Sequence, residues 1–311
     1  MRYNIAYVGG EIMKNTKVLG HIAAIFTILV WGTTFISTKV LLTEFQPLEI
    51  MFVRLLIGWM ALFIACPKRM KNVTRKQELT FAGAGLTGIT LYYLMENMAL
   101  TLTMASNVGV IVSVSPFFTM ILASIFVKSE GKMRLNFFLG FVVAMIGIAL
   151  ISFNGAKFEF SPVGDLLTVG AAFVWALYSI LTRKMGDFGY SVIQTTRKIF
   201  FYGILFMLPT LFFFEFDLDF SKFANAKVLF NFSYLGLCAS ALCFATWNYA
   251  SKILGAVKTC IYIYLIPVVT VVTSALILKE PVTWLSFTGT VFAILGLFLS
   301  EYNGRKKDDN E

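Results

Sequence analysis

Charge, histidine and cysteine are all scarce in this chain. Only 14% of its 311 residues are charged, whereas a soluble domain carries about 25%. No polar stretch is long enough to enclose an aqueous core, which excludes a sizeable soluble domain. A single histidine, His21, rules out a histidine metal cluster, and its place at a helix start makes it a residue at the water boundary. The four cysteines, Cys66, Cys238, Cys243 and Cys260, fall in or beside apolar segments with no Cys-x-x-Cys pair. Structural disulfides and thiolate metal sites are therefore not expected. A phosphate-binding P-loop is missing, so ATP hydrolysis is not the energy source. Glu96 is the one carboxylate well inside an apolar segment. A prenyl- or acyl-transferring membrane enzyme would need several acids or a His/Asp couple, so no enzyme, metal or cofactor is expected.

What fills the chain is apolar. Hydrophobic residues make up 58% and aromatic residues 16%, and the mean hydropathy is +0.78. About 20 apolar residues cross the hydrocarbon core as a helix. That rule places helices near 18–42, 47–66, 79–101, 104–127 and 135–153. A second set falls near 164–185, 191–214, 229–252, 256–278 and 283–301. Short alternating segments, which a porin-like barrel would require, are lacking. Basic residues orient the helices. With both termini inside, Lys68, Arg69, Lys71, Arg75, Lys76, Arg183, Lys184, Lys252 and Lys258 lie on the inner side with most other cations. The outer side keeps Lys39, Lys157, Lys222, Lys227 and Lys279. Positive charge marks the cytoplasmic side. The net charge of +9 thus faces anionic lipid and implies no nucleic-acid partner.

The two sets are copies. Gly20, Trp31 and Lys39 recur as Gly164, Trp175 and Arg183. Gly85, Asn97, Ala105, Pro116, Thr119 and Lys128 recur as Gly236, Asn248, Ala256, Pro267, Thr270 and Lys279. Gly140, Ala144 and Gly147 recur as Gly289, Ala293 and Gly296. Five helices per copy is an odd number, so the second copy enters the membrane from the opposite side. The expected architecture is an all-α integral membrane protein of about ten transmembrane helices in two inverted five-helix repeats. It divides into a cytoplasmic tail at 1–17, repeats at 18–153 and 164–301, a linker at 154–163 and a cytoplasmic tail at 302–311. Inverted repeats of this kind are a common build for transporters, with a solute site near the midplane where the repeats meet.

Four stretches carry a family likeness: VWGTTFISTKVLL, PLEIMFVRLLIG, ENMALTLTMASNVGVIVSVSPFFTMILASIFVKSEG and WNYASKILGAVKTCIYIYLIPVVTVVTSALILKEP. With the repeat and its order, they make the chain resemble the drug/metabolite transporter superfamily, in particular its EamA-type permeases of ten helices. The resemblance implies export or exchange of small metabolites, often amino acids, across the cell (cytoplasmic) membrane by a monomer or weak homodimer. It does not fix the solute. A carrier of nucleotide sugars or other phosphate-bearing solutes, with Arg54, Arg197 and Lys198 as cations, is the alternative, as is a channel or scramblase.

Residue chemistry narrows the site. Asn97 and Asn248 are repeat-equivalent amides that hydrocarbon penalises. Trp31, Tyr92, Asn107, Trp175, Tyr178, Trp247 and Tyr262, in a wider aromatic and amide set with Tyr93 and Tyr264, supply the walls that a metabolite pocket needs. Aromatic residues also pack against lipid, so each of these has a structural alternative. Arg54 lies roughly 10 Å and Glu96 roughly 8 Å below the outer surface at 1.5 Å rise per residue, so each is an obvious partner for the other. Glu96 is expected either as a solute-ammonium or proton site or as a fixed ion-pair partner of Arg54. Arg197 answers from the second half, while Trp247 replaces Glu96 there. Pro116 and Pro267 are expected to kink the fourth and ninth helices, either as packing features or as gating elements. The Gly140 and Gly289 rows are expected to be tight helix contacts.

Overall fold

A computed structural model describes residues 2–102, 108, 111–127, 134–152, 161–213, 216–273, 275–276 and 283–301. Asn107, Lys128 and Lys279, with most of the linker and the C-terminal tail, lie outside the described residues. Helices begin where the local chemistry favours them. In α1 (Arg2–Leu41) the helix starts well before the apolar span, so the stretch read as a polar tail continues the first helix. Pro47 opens α2 (Pro47–Ala65) behind a Gln46/Glu49 capping box, since proline costs nothing where the N–H is orphaned anyway. Thr74 caps α3, which runs Arg75–Gly85, then a π segment Leu86–Leu91, then Tyr92–Leu102. The described parts of the next two helices are α4 (Ser115–Phe126) and α5 (Leu135–Ser152).

The second repeat follows the same plan. It comprises α6 (Pro162–Gly186) and α7 (Val192–Met207), the latter capped by Ser191. Next, α8 runs Ala226–Ser233, through a π segment Tyr234–Leu242, into Cys243–Leu254. Gly255 turns the chain with φ +94, a conformation that glycine tolerates and side chains do not. It leads into α9, which runs Ala256–Ile261, a 3-10 segment Tyr262–Leu265, then Ile266–Thr273. The last helix is α10 (Trp284–Glu301). Five of the described helices are long and apolar enough to cross a membrane, and Ser115–Phe126, Leu135–Ile151 and Trp284–Ser300 are shorter apolar helices.

Both prolines sit differently from simple mid-helix kinks. Pro116 occupies the first turn of α4 after a turn at Ser113–Val114, and Pro267 follows the 3-10 segment of α9. Proline at a first turn sacrifices no internal hydrogen bond, so Pro116 begins a new helical segment after a turn, while Pro267 stands where a 3-10 stretch of a continuous helix returns to α geometry. The turn before Pro116 and the 3-10 segment before Pro267 are repeat-equivalent, as are the π segments of α3 and α8.

Small residues set the helix contacts. A Cβ on Gly147 would come within 2.5 Å of Ala293 N and Gly289 O, so α5 and α10 meet backbone to backbone. The α2–α8 and α7–α3 contacts mirror each other. Gly236 approaches Ile57 and the Arg54 carbonyl, while Gly85 approaches Tyr202 and the Ile199 carbonyl. The mirror fixes the register of α2 against α7, making Arg54 equivalent to Ile199 rather than to Arg197.

Candidate functional site

The two repeats meet around tryptophans. Trp31 of α1 and Trp175 of α6 have ring centroids 5.6 Å apart, and Trp247 of α8 lies 5.1 Å from Trp31 and 6.1 Å from Trp175. Tyr92 of α3 reaches Trp175 at 4.9 Å and Tyr178 at 5.1 Å from the same ring, with Phe244 closing the group 5.6 Å from Trp31. The sequence-derived aromatics Trp31, Tyr92, Trp175, Tyr178 and Trp247 are thus brought together. Tyr262 instead bonds His21 Nδ1 through its hydroxyl at 2.5 Å, so His21 is tied to α9 rather than simply resting at the water boundary.

Beside the aromatics, half-buried Tyr93, Glu96 and Asn97 of α3 face Arg54 of α2. The Arg54 guanidinium lies over the Tyr93 ring, 5.3 Å from its centroid, and Nε donates to Ser240 Oγ at 3.1 Å. Among the described residues nothing bonds its two Nη atoms. The Tyr92 hydroxyl donates to Glu96 Oε1 at 3.0 Å, and Oε2 has no described partner. The expected direct Arg54–Glu96 ion pair is therefore not formed. Tyr93 covers the guanidinium face, Ser240 fixes its Nε, and Tyr92 draws the carboxylate. Tyr92 and Tyr93, with ring centroids 5.3 Å apart, stand at the two charges.

The paired amides differ. Asn248 accepts from the Tyr178 hydroxyl at 2.8 Å and donates to Thr196 Oγ1 at 3.0 Å. Among the described residues Asn97 has only Met51 Sδ, at 3.7 Å from Nδ2, a weak acceptor. Asn248 is locked into the scaffold, while Asn97 keeps its oxygen and most of its donor capacity.

Arg197, expected as a coupling charge, closes the end of α2 instead. Its guanidinium bonds the Cys66 carbonyl, and Nη2 donates to the Lys68 carbonyl at 2.9 Å. Cys66 is the C-cap of α2, where a cation is favourable, and the carbonyl of exposed Lys68, two residues on, also accepts from Gln194 Nε2 at 3.2 Å. Lys198 pairs with Glu78 at 2.5 Å. Neither cation is left for a solute. Ser240, Phe244, Met51 and Thr196 are the partners that sequence reasoning missed. They are ordinary residues of apolar runs, and only their neighbours across the repeat interface single them out. A groove of about 670 Å³ lined by Met95, Phe118, Leu166 and Phe173 holds no polar side chain and is separate from this cluster.

Inverted five-helix repeats around a central set of polar and aromatic side chains define the molecule as a polytopic membrane transporter. The chain belongs to the EamA-like transporter family, whose model matches residues 18–153 and again 162–302. An uncharacterized transporter of Archaeoglobus fulgidus is 27% identical over 90% of this chain and 96% of its own length. A probable terminal-alkyne amino-acid exporter of Streptantibioticus cattleyicolor is 26% identical over 89% of this chain and 91% of its own. A solved crystal structure superposes with a TM-score of 0.74 at 18% identity, covering 93% of this chain and 96% of the other, and shares the fold.

Proposed function

We propose that this protein is a secondary carrier of small zwitterionic metabolites, amino acids foremost, working as an exporter or exchanger in the cytoplasmic membrane by alternating access. One observation carries the reading: Arg54 and Glu96 are held by adjacent residues, Tyr93 and Tyr92, yet are not joined, each with polar atoms uncommitted among the described residues. A charge inside a membrane costs about 2.5–3.5 kcal/mol on insertion scales, and two such charges held apart leave a place for a solute with both. The solute carboxylate meets the Arg54 Nη atoms, its ammonium meets Glu96 Oε2, and Asn97 adds a donor and an acceptor. Trp31, Trp175 and Trp247 form the apolar wall. The amino-acid exporter among the relatives points the same way. A phosphate-bearing solute would call for several free cations, and Arg197 and Lys198 are engaged elsewhere.

The test is a thermal-shift screen of the purified protein against amino acids, organic acids, amines and nucleotides, followed by exchange in proteoliposomes. Ligands that bind the folded state raise its stability by mass action. Stabilisation by zwitterions, with none by the matching amine or acid alone, is the expected result. Stabilisation by simple amines or by phosphates alone would overturn the zwitterion reading.

A further inference from the structure

Trp31 and Trp175 are repeat-equivalent, yet their indole N–H groups have different fates. Trp31 Nε1 donates to the Ala239 carbonyl at 3.0 Å, inside the π segment of α8. Trp175 is 5% exposed, and its Nε1 is buried without a partner among the described residues. A buried unpaired donor carries a desolvation penalty that a folded protein normally avoids.

The repeat itself names the missing acceptor. Ala239 corresponds to Gly88 at the offset that relates Asn97 to Asn248, and Gly88 lies in the π segment of α3. A π segment widens the backbone turn and disturbs the regular hydrogen-bond ladder, so a carbonyl there can accept from outside. Gly88 also abuts the Tyr178 ring, one turn beyond Trp175 on α6. Trp175 therefore lies one helical turn along α6 from the residue that packs on Gly88, whose lack of a side chain lets that ring approach the backbone closely.

We infer that the two tryptophans form a reciprocal latch. In this structure α1 is latched to α8 through Trp31 and Ala239, and α6 is unlatched from α3. In the opposite-facing form the roles exchange, with Trp175 Nε1–H donating to the Gly88 carbonyl and Trp31 releasing Ala239. One hydrogen bond breaks as its mirror forms, so each form leaves one indole unpaired and the two forms stay close in free energy. Closeness in free energy is what a carrier that must visit both forms requires. The inference rests on the alternating-access reading above.

The test uses full-length protein in lipid nanodiscs, with spin labels at Lys17 and Lys184, exposed residues near the start of the apolar span of α1 and the end of α6. Pulsed dipolar spectroscopy then reads the ratio of the two forms. Phenylalanine keeps a ring and removes the N–H. Trp31→Phe should shift the ratio away from the form described here, and Trp175→Phe should shift it toward that form, each about fivefold for one hydrogen bond of ordinary net strength. The double variant should return near the wild-type ratio. If the Phe variants do not accumulate, indole nitrogen resonances of wild-type protein give the same answer, because solute should exchange which of the two indoles is hydrogen-bonded. Two populations whose ratio the variants leave unchanged, or move in one direction, would overturn the latch alone. Lower solute affinity in Trp175→Phe with an unmoved ratio would assign the free N–H to the solute instead. A single population with and without solute would overturn alternating access and the latch together.

Discussion

Asn97 and Asn248 hold equivalent places in the two repeats, but only Asn248 is saturated by its neighbours, Tyr178 and Thr196. The difference arises one layer out. Met51 stands on α2 where Thr196 stands on α7, so Asn97 meets a thioether where Asn248 meets a hydroxyl. One amide is part of the scaffold and the other is free to bind.

That difference separates stability from binding. Asn248→Ala leaves the buried Tyr178 hydroxyl without its acceptor, while Thr196 keeps its bond to the Val192 carbonyl, and should lower unfolding stability by about 1–3 kcal/mol. Asn97→Ala should unfold near the wild-type midpoint while losing most solute-induced stabilisation. Thermal unfolding with and without a bound amino acid checks both.

Glu96→Gln and Arg54→Gln should each abolish uptake in proteoliposomes while the protein still folds, because neither charge relies on the other for a direct bond. Joint replacement of both by apolar residues should not restore uptake. A fixed ion pair would behave in the opposite way, with the double change nearly neutral and each single change harmful. Full activity of Glu96→Gln would remove this residue from the mechanism.

Arg197→Ala should destabilise the protein by about 1 kcal/mol, because the Cys66 carbonyl loses its donor at the end of α2 while the Lys68 carbonyl keeps Gln194. Uptake per folded molecule should be retained. Lysine at this position should recover only part of the stability, since an ammonium cannot reproduce the planar fork that spans two carbonyls. Melting curves and uptake normalised to folded protein distinguish this clamp from a coupling role.

The inside-positive reading places Ser221 outside and Lys71 inside. In a cysteine-free background, an impermeant thiol reagent should label Ser221→Cys in intact cells and spare Lys71→Cys until the membrane is opened. The reverse pattern would invert the topology.

Much of the architecture could be read from composition and internal offsets. The repeat, the helix order and the glycine rows of α5 and α10 follow from residues whose spacing is visible in the chain. Pairings that depend on which helix faces which were not visible. Arg54 and Glu96 share a depth, which suggested a bond, but depth says nothing of Tyr93 lying across the guanidinium. Arg197 reads as a counterpart of Arg54 until the α2–α8 and α7–α3 contacts set the register. The turn before Pro116 and the 3-10 stretch before Pro267 look like kinks in the sequence because proline announces a disturbance without saying on which side of it the helix changes.

The gathering of Trp31, Trp175 and Trp247 has an optical consequence. Indoles whose centres lie 5.1 to 6.1 Å apart cannot absorb independently. Their transitions mix, and fixed asymmetric packing turns that mixing into a near-ultraviolet circular dichroism band. Any event that moves α1 against α6 or α8 changes the coupling geometry directly, so the unlabelled protein reports its own rearrangement as a change in the sign or depth of that band.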